Sequence, residues 1–363
     1  MQQPMSVPES NLFIDPSAAR DSSPASVMSH KESVRQLAPI ALFVYNRPEH
    51  IRRTVESLRA NILARQSDLF VFSDAAKKES AAAVEAVRKF IRTIDGFKSL
   101  TIIERERNCG LANSIIAGVS HVCNRFGRVV AIEDDLLTTA DFLTFMNQAL
   151  DRFADEPKIF SVSGFNFAIG APQHYPFDAF CSYRSSSLGW GTWKSRWQKA
   201  DWSVSDYNKF SADRNQQELF NRGGEDLSDM LASQMAGRID SWAIRWAYTH
   251  FKQHGLALLS LRSRVFHIGA DGSGTHTRRG SLRQSPLACS SKTEFHFPRT
   301  VEIEPPFASD MKKLLRPSIA RKIFRYLRRI SPATKRFNSD ATVELRAEQL
   351  EAGKGLGSIV DQV

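Results

Sequence analysis

The 363-residue chain has only four cysteines, Cys109, Cys123, Cys181 and Cys289. They are widely spaced and form no CxxC pair, so neither a disulfide framework nor a zinc knuckle is expected, and a reducing compartment suits them. Long apolar runs are missing as well: none reaches the roughly 18 residues a membrane-spanning helix needs. The opening "MQQPMSVPESNLFIDPS" lacks the basic start and apolar core of a secretory signal. The expected location is the cytoplasm. From Lys312 to Arg336 what is missing is acid: ten basic residues (Lys312, Lys313, Arg316, Arg321, Lys322, Arg325, Arg328, Arg329, Lys335, Arg336) stand without a carboxylate. The formal net charge of the chain is +10, so this segment accounts for all of it and the remainder is formally neutral. That argues against a nucleic-acid groove across the folded body.

What is present is an alternation. Residues 1–38, rich in Ser and Pro and without apolar periodicity, read as disordered. "PIALFVY" (Pro39 to Tyr45) then reads as a buried strand, and the helix after it spaces Ile51, Val55, Leu58 and Ile62 on one face, with Pro48 in its first turn. Further strands are expected at Asp68–Asp74, Ser99–Arg105 and "RVVAIED". Helices are expected over "ESAAAVEAVRKFIRTI" and "GLANSIIAGVSHV". "Thr-Thr-Ala-Asp" (Thr138 to Asp141) fits a capping box opening "FLTFMNQALDRF". The expected fold is α/β, a mainly parallel sheet with helices on both faces, in one catalytic domain over 39–300. Residues 301–363 form a tail. Within it Arg316 to Ile330 has an amphipathic pattern, which suits a helix on an anionic membrane (residues 312–336) or one packed on the domain.

In such sheets ligands bind at the carboxyl ends of the strands. Three groups fall there: Asn46-Arg47, Asp74, and the triplet Glu133-Asp134-Asp135 that ends "VVAIEDD". Adjacent carboxylates at a strand end repel one another and are costly to desolvate. A divalent cation removes that cost, and hard oxygen donors suit Mg²⁺ or Mn²⁺. The other reading is a solvated acidic turn.

These residues resemble the metal motif of N-acetylglucosaminyltransferase I and related glycosyltransferases of the GT-A (Rossmann-like) fold. The resemblance extends, in order, through "VYNRPEHIRRTVESL", "FSDAAK", "NCGLANSIIAGV", "SSLGWGTWKSRW", "DSWAIRW" and "RVFHIGADGSGTHT", and takes in family 2 glycosyltransferases and their bacterial relatives. It implies an enzyme that moves a sugar from a nucleotide-diphosphate sugar, most simply a UDP-sugar, with inversion, onto a saccharide or lipid-linked saccharide in surface-polysaccharide synthesis. Asp135 would hold the cation, and Glu133 and Asp134 would contact the donor's sugar or ribose, or hold Asp135 in place. Asp74 would accept from the base or serve a turn. Arg47 would reach the nucleotide or be solvated. Asn108, Gly110 and Leu111 would bring a helix start to the donor, or serve only the turn that opens the helix. Asp240 would be the general base or a helix cap, with Glu225 and Asp226 as alternatives. His267, less so His276, would be a further metal ligand or a structural histidine. Trp190 and Trp193 would line the acceptor site or the core. Two rivals remain: a nucleotidyltransferase, against which "YNRPEHIRR" lacks a phosphate-loop glycine, and a catalytically silent carbohydrate- or membrane-binding relative.

Overall fold

The structure, a computed structural model, describes residues 36–270, 284–288 and 290–316. The expected disorder before residue 36, His276 with its Gly-rich neighbours, and the amphipathic segment from 317 onward lie outside the described residues. The compact unit considered below begins at Leu37.

The first half alternates as the periodicity requires: β1 (Ile40–Val44), α1 (Pro48–Arg59), β2 (Asp68–Ser73), α2 (Ala81–Ile91), β3 (Ser99–Glu104), α3 (Leu111–Phe126) and β4 (Arg128–Glu133). Then come β5 (Leu136–Thr138), α4 (Phe142–Arg152), β6 (Ile159–Ser163), β7 (Ala179–Ser182) and β8 (Trp190–Trp193). Short helices α5 (Lys194–Trp197), α6 (Tyr207–Ala212), α7 (Arg214–Phe220) and α8 (Leu227–Met235) lead to α9 (Trp242–Lys252), β9 (Leu256–Ser260), β10 (Val265–His267) and α10 (Pro305–Leu314).

Eight strands form one sheet in the order β3-β2-β1-β4-β8-β6-β9-β7, and β10 pairs with β5 in a separate ribbon. β1, β2, β3 and β4 are mutually parallel, as are β6 and β9. β8 enters antiparallel between β4 and β6, and β7 closes the edge antiparallel to β9. Parallel pairing is therefore concentrated in the first four strands of this GT-A-like sheet. β1 reads as a continuous apolar run because both its faces are covered. Ile40, Leu42 and Val44 pack with Ile51, Val55 and Leu58 of α1, whereas Ala41 and Phe43 pack with Ile115 and Val119 of α3 and Trp242 and Trp246 of α9. From β1 the chain steps outward to β2 and β3 and then crosses back to β4 on the other side of β1. The gap between the ends of β1 and β4 is the switch point where α/β sheets bind ligands.

Several local expectations need correction. α1 stops at Arg59, and Ile62 is exposed instead of continuing the apolar stripe. The capping box at Thr138–Asp141 does not form: Asp141 makes no side-chain cap bond to α4, because its carboxylate is taken by Thr139, Ser290 and the backbone of Lys292. For Trp190 and Trp193 the structure shows the second of the two expected readings, the core: Trp190 stacks on Trp242 with centroids 4.9 Å apart and Trp193 donates to the Leu150 carbonyl. The boundary expected at residue 300 falls inside the folded body, since Phe307 and Met311 of α10 are buried against Phe180 and Leu259. No helix among the described residues is long and apolar enough to cross a membrane.

Candidate active site

β1 and β4 end side by side, and their following residues build the site. Tyr45, just past β1, donates its backbone N–H to Asp134 Oδ2 at 3.1 Å. Arg47, at the start of α1, spans both aspartates: Nη1 donates to Asp135 Oδ2 at 2.9 Å and Nη2 lies 3.0 Å from Asp134 Oδ1. Thr54, two turns further along α1, donates to the Asp134 carbonyl at 2.8 Å. Asp134 and Asp135 are buried, at 3% and 6% exposure, so Arg47 is needed to compensate them.

The ribbon delivers the fourth group. His267 ends β10 opposite Leu136 of β5, and its Nε2 meets Asp135 Oδ2 at 3.1 Å. Gln284 holds the His267 backbone from both sides, accepting from its N–H and donating to its carbonyl. Gly269 lies so close that a Cβ there would collide with Asp135 Oδ2 and Arg47 Nη1. Sequence reasoning missed Thr54 and Gln284, because only the fold brings them to Asp134 and His267, and it singled out the glycine-rich stretch from His267 without the contact of Gly269 with Asp135.

The charges respond to this packing. Burial, reinforced by Asp135 and Asp134, pushes Glu133 up to about 8, and burial pushes Asp134 up to about 6 against the pull of Arg47. Burial acts on Asp135 in the same sense, but the His267 hydrogen bond and the Arg47 charge outweigh it and hold Asp135 below the usual carboxylate range. Asp135 is thus the carboxylate kept ionised. No group of three or more metal-ligating side chains converges among the described residues. Two donors do converge, Asp135 Oδ2 and His267 Nε2. That set fits a Mn²⁺ or Mg²⁺ ion that takes its remaining ligands from substrate phosphates and water.

Asp74 serves a turn, one of its two expected roles. Its buried carboxylate accepts from the N–H of Ala75, from Cys109 N at 3.0 and 3.1 Å, and from Gly110 N at 3.0 Å. Asn108 adds a bond to the Ala75 carbonyl at 2.7 Å. Asp74 and Asn108 therefore shape the loop that opens α3, where Gly110 takes φ 76° and Leu111 stays 37% exposed. The Tyr45 hydroxyl bonds Ser80 Oγ and accepts from Lys77 N. One residue thereby ties the loop after β2 to the acids.

Asp240 does not cap α9; Ser241 does, accepting from Ile244 N. The Asp240 side chain is 57% exposed, 3.5 Å from Arg245 Nη2, and its Oδ2 lies 3.6 Å from where a Cβ on Gly110 would stand. It faces the turn that opens α3. Of the alternatives, Asp226 is engaged by both guanidinium nitrogens of Arg184, and Glu225 lies 3.8 Å from Arg316 Nε.

With this geometry in place, the comparisons are direct. Residues 40–200, fewer than half of the chain, match the family model described as glycosyl transferase family 2. No curated protein matches the chain. Among solved structures, S. aureus TarS 1–349 has a TM-score of 0.35 at 12% identity, covering 65% of this chain and 61% of that one. The same protein in complex with UDP-GlcNAc gives 0.35 and 12%, with 68% and 60% covered. A mannosyltransferase from Pyrobaculum calidifontis, in complex with GDP-Man and Mn²⁺, gives 0.34 and 13%, with 60% and 70% covered. Likenesses this slight add nothing to the residue-level reading. The family match spans β1 to β8 and contains Arg47, Asp74 and the whole Glu133–Asp135 cluster: over residues 40–200 the chain is similar to glycosyl transferase family 2.

Proposed function

We propose that the protein transfers a sugar, with inversion and with Mn²⁺ or Mg²⁺, from a UDP-sugar to a saccharide or lipid-linked saccharide acceptor in surface-polysaccharide assembly. The observation that carries this reading is the convergence of Arg47, Asp134, Asp135 and His267 at the switch point between β1 and β4. Asp135 and His267 would hold the cation, which when bound neutralises the diphosphate. Glu133 and Asp134 would accept hydrogen bonds from donor hydroxyls. Arg47, freed in part from the acids, would pair with a phosphate oxygen. The α3 turn of Asn108, Gly110 and Leu111 would face the nucleotide. Asp240 would take the proton from the acceptor hydroxyl as its oxygen attacks the anomeric carbon, while the bond to the diphosphate breaks and the electron pair leaves with it. On this reading the basic residues 312–336 would hold the enzyme at an anionic inner membrane face, with Lys312 and Lys313 at the end of α10 beginning that segment.

The test is a screen of UDP-, GDP- and other nucleotide sugars for hydrolysis, with and without Mn²⁺. Metal-dependent release of nucleoside diphosphate supports the proposal and names the donor. Pyrophosphate release instead identifies a nucleotidyltransferase, and no turnover of any donor identifies a silent relative.

A further inference from the structure

The ribbon that carries Asp135 and His267 is short. Val265 pairs with Thr138, Phe266 with Leu137 and His267 with Leu136, and two flanking bonds extend it: Ile268 N to the Asp135 carbonyl, and Thr139 N to the Arg264 carbonyl. A three-pair ribbon made of Leu-Leu-Thr and Val-Phe-His has little in its own pattern to forbid a slip. A one-residue slip replaces every cross-strand partner. At its far end, however, sits a charged pair with no part in catalysis. Arg264 is 1% exposed and Asp141 fully buried, with Arg264 Nε 3.6 Å from Asp141 Oδ1.

The pair is built from every side. The Arg264 guanidinium lies between the rings of Phe145 and Phe295, at 4.7 and 4.4 Å from their centroids. It also donates to Ser260 Oγ and to the Arg262 carbonyl. Asp141 accepts from Thr139 Oγ1, Ser290 Oγ and Lys292 N. Buried ion pairs add little to stability compared with an apolar filling of the same volume; their best-attested use is to fix register.

We infer that Arg264 and Asp141 are positioning residues: a registry peg that locks β5 against β10 so that His267 Nε2 meets Asp135. A slipped ribbon would carry Arg264 away from Asp141 and leave both charges buried and unpaired. The inference rests on the transferase reading only for what Asp135 and His267 do, not for how they are held.

The test uses the full chain without metal or donor. The double variant Asp141→Asn/Arg264→Met removes both charges and keeps the volume. Imidazole ¹⁵N shifts, with His267 assigned by its loss in His267→Gln, report the Asp135 contact. The expected result is a folded protein with melting temperature within a few degrees of wild type, whose His267 resonances move or split. In parallel, affinity for UDP with Mn²⁺ should fall at least tenfold. A folded double variant with wild-type His267 shifts and wild-type affinity overturns the peg. Should that variant not fold, Arg264→Lys, which keeps the charge but loses the planar fork, decides on the same shifts: displaced resonances support the peg and wild-type resonances refute it. If the wild type processes no nucleotide sugar, the transferase reading fails while the ¹⁵N comparison still judges the peg.

Discussion

Arg47 donates to Asp135 at 2.9 Å and, through its other terminal nitrogen, stands 3.0 Å from Asp134. One planar fork thus binds two carboxylates that adjacency in sequence forces together. A lysine has one ammonium and cannot repeat this geometry. Arg47→Lys is expected to lower metal-free stability by roughly 1–2 kcal/mol, read as a shift in the urea midpoint. It should also weaken UDP binding about tenfold, since the guanidinium would pair with phosphate. A variant with unchanged midpoint and unchanged binding would show that the bridge is incidental.

Asp74 gives a prediction that separates loop building from base contact. Its two oxygens already accept from Ala75, Cys109 and Gly110. Asp74→Asn turns one oxygen into a donor facing those N–H groups, leaving buried donors unpaired at a cost of about 1–3 kcal/mol. Stability and donor affinity are expected to fall together, for UDP- and GDP-sugars alike. A selective loss for uracil nucleotides at full stability would restore the base-contact role.

The acids also set a pH dependence. In the metal-free protein Glu133 is pushed from 4.5 up to about 8, and Asp134 from 3.8 up to about 6, burial being the leading cause of both. An acid raised on folding keeps a proton that the unfolded chain has lost. The stability tied to that proton is complete below the unfolded value and declines as pH climbs through the folded one. Asp135, held low, does not titrate in this range. Stability of the metal-free protein is therefore expected to drop between pH 5 and 8.5, and Glu133→Gln should flatten the slope. Urea unfolding across that range decides it, and a wild type with constant stability would contradict the assignment.

Much of this was legible in the sequence, and the residues show why. β1 to β4 announce themselves because buried parallel strands leave unbroken apolar runs, and Arg47 and Glu133–Asp135 stand at the ends of recognisable strands, whereas the three-residue strand that ends in His267 gave no such signal. Three kinds of feature were not legible. β8 reads as an aromatic cluster whose Trp190 and Trp193 are as consistent with a sugar platform as with a core, and only pairing with β4 and β6 decides. Asp141 reads as the last residue of a capping box, yet Thr139, Ser290 and Lys292 take its carboxylate beside a buried Arg264 distant in sequence. Thr54 and Gln284 are ordinary residues until the fold sets them on Asp134 and His267. Local signals specify elements, whereas partners from other parts of the chain, whether 17 residues away as for Gln284 and His267 or 80 as for Thr54 and Asp134, are chosen by packing.

Asp240 carries the base assignment. Its carboxylate is half-exposed beside the α3 turn and only loosely paired with Arg245, at 3.5 Å, so it is accessible to an acceptor hydroxyl. Asp240→Asn is expected to reduce kcat by roughly 10²–10⁴, the usual worth of a positioned base, with donor KM little changed. The Ser241 cap is untouched, so the melting temperature should hold. A variant with near wild-type kcat would exclude Asp240 and direct attention to Glu225, because Asp226 is committed to Arg184.

Gly269 tests the site from the side of shape. It is buried against the acids, and a methyl group there would stand 2.8 Å from Arg47 Nη1 and 3.0 Å from Asp135 Cγ. Neither neighbour yields easily, since each is held by the other and by Asp134 or His267. Gly269→Ala adds no charge and removes none, and the resulting overpacking costs about 1–3 kcal/mol. The expected outcome is a folded protein whose kcat/KM falls at least tenfold because the carboxylate pair is displaced. Gly170→Ala is the control, as nothing lies within 4 Å of its added methyl. Circular dichroism checks folding, and turnover with the donor found in the screen checks the site. If Gly269→Ala and Gly170→Ala turn over alike, the close approach of residue 269 to Asp135 has no part in the chemistry.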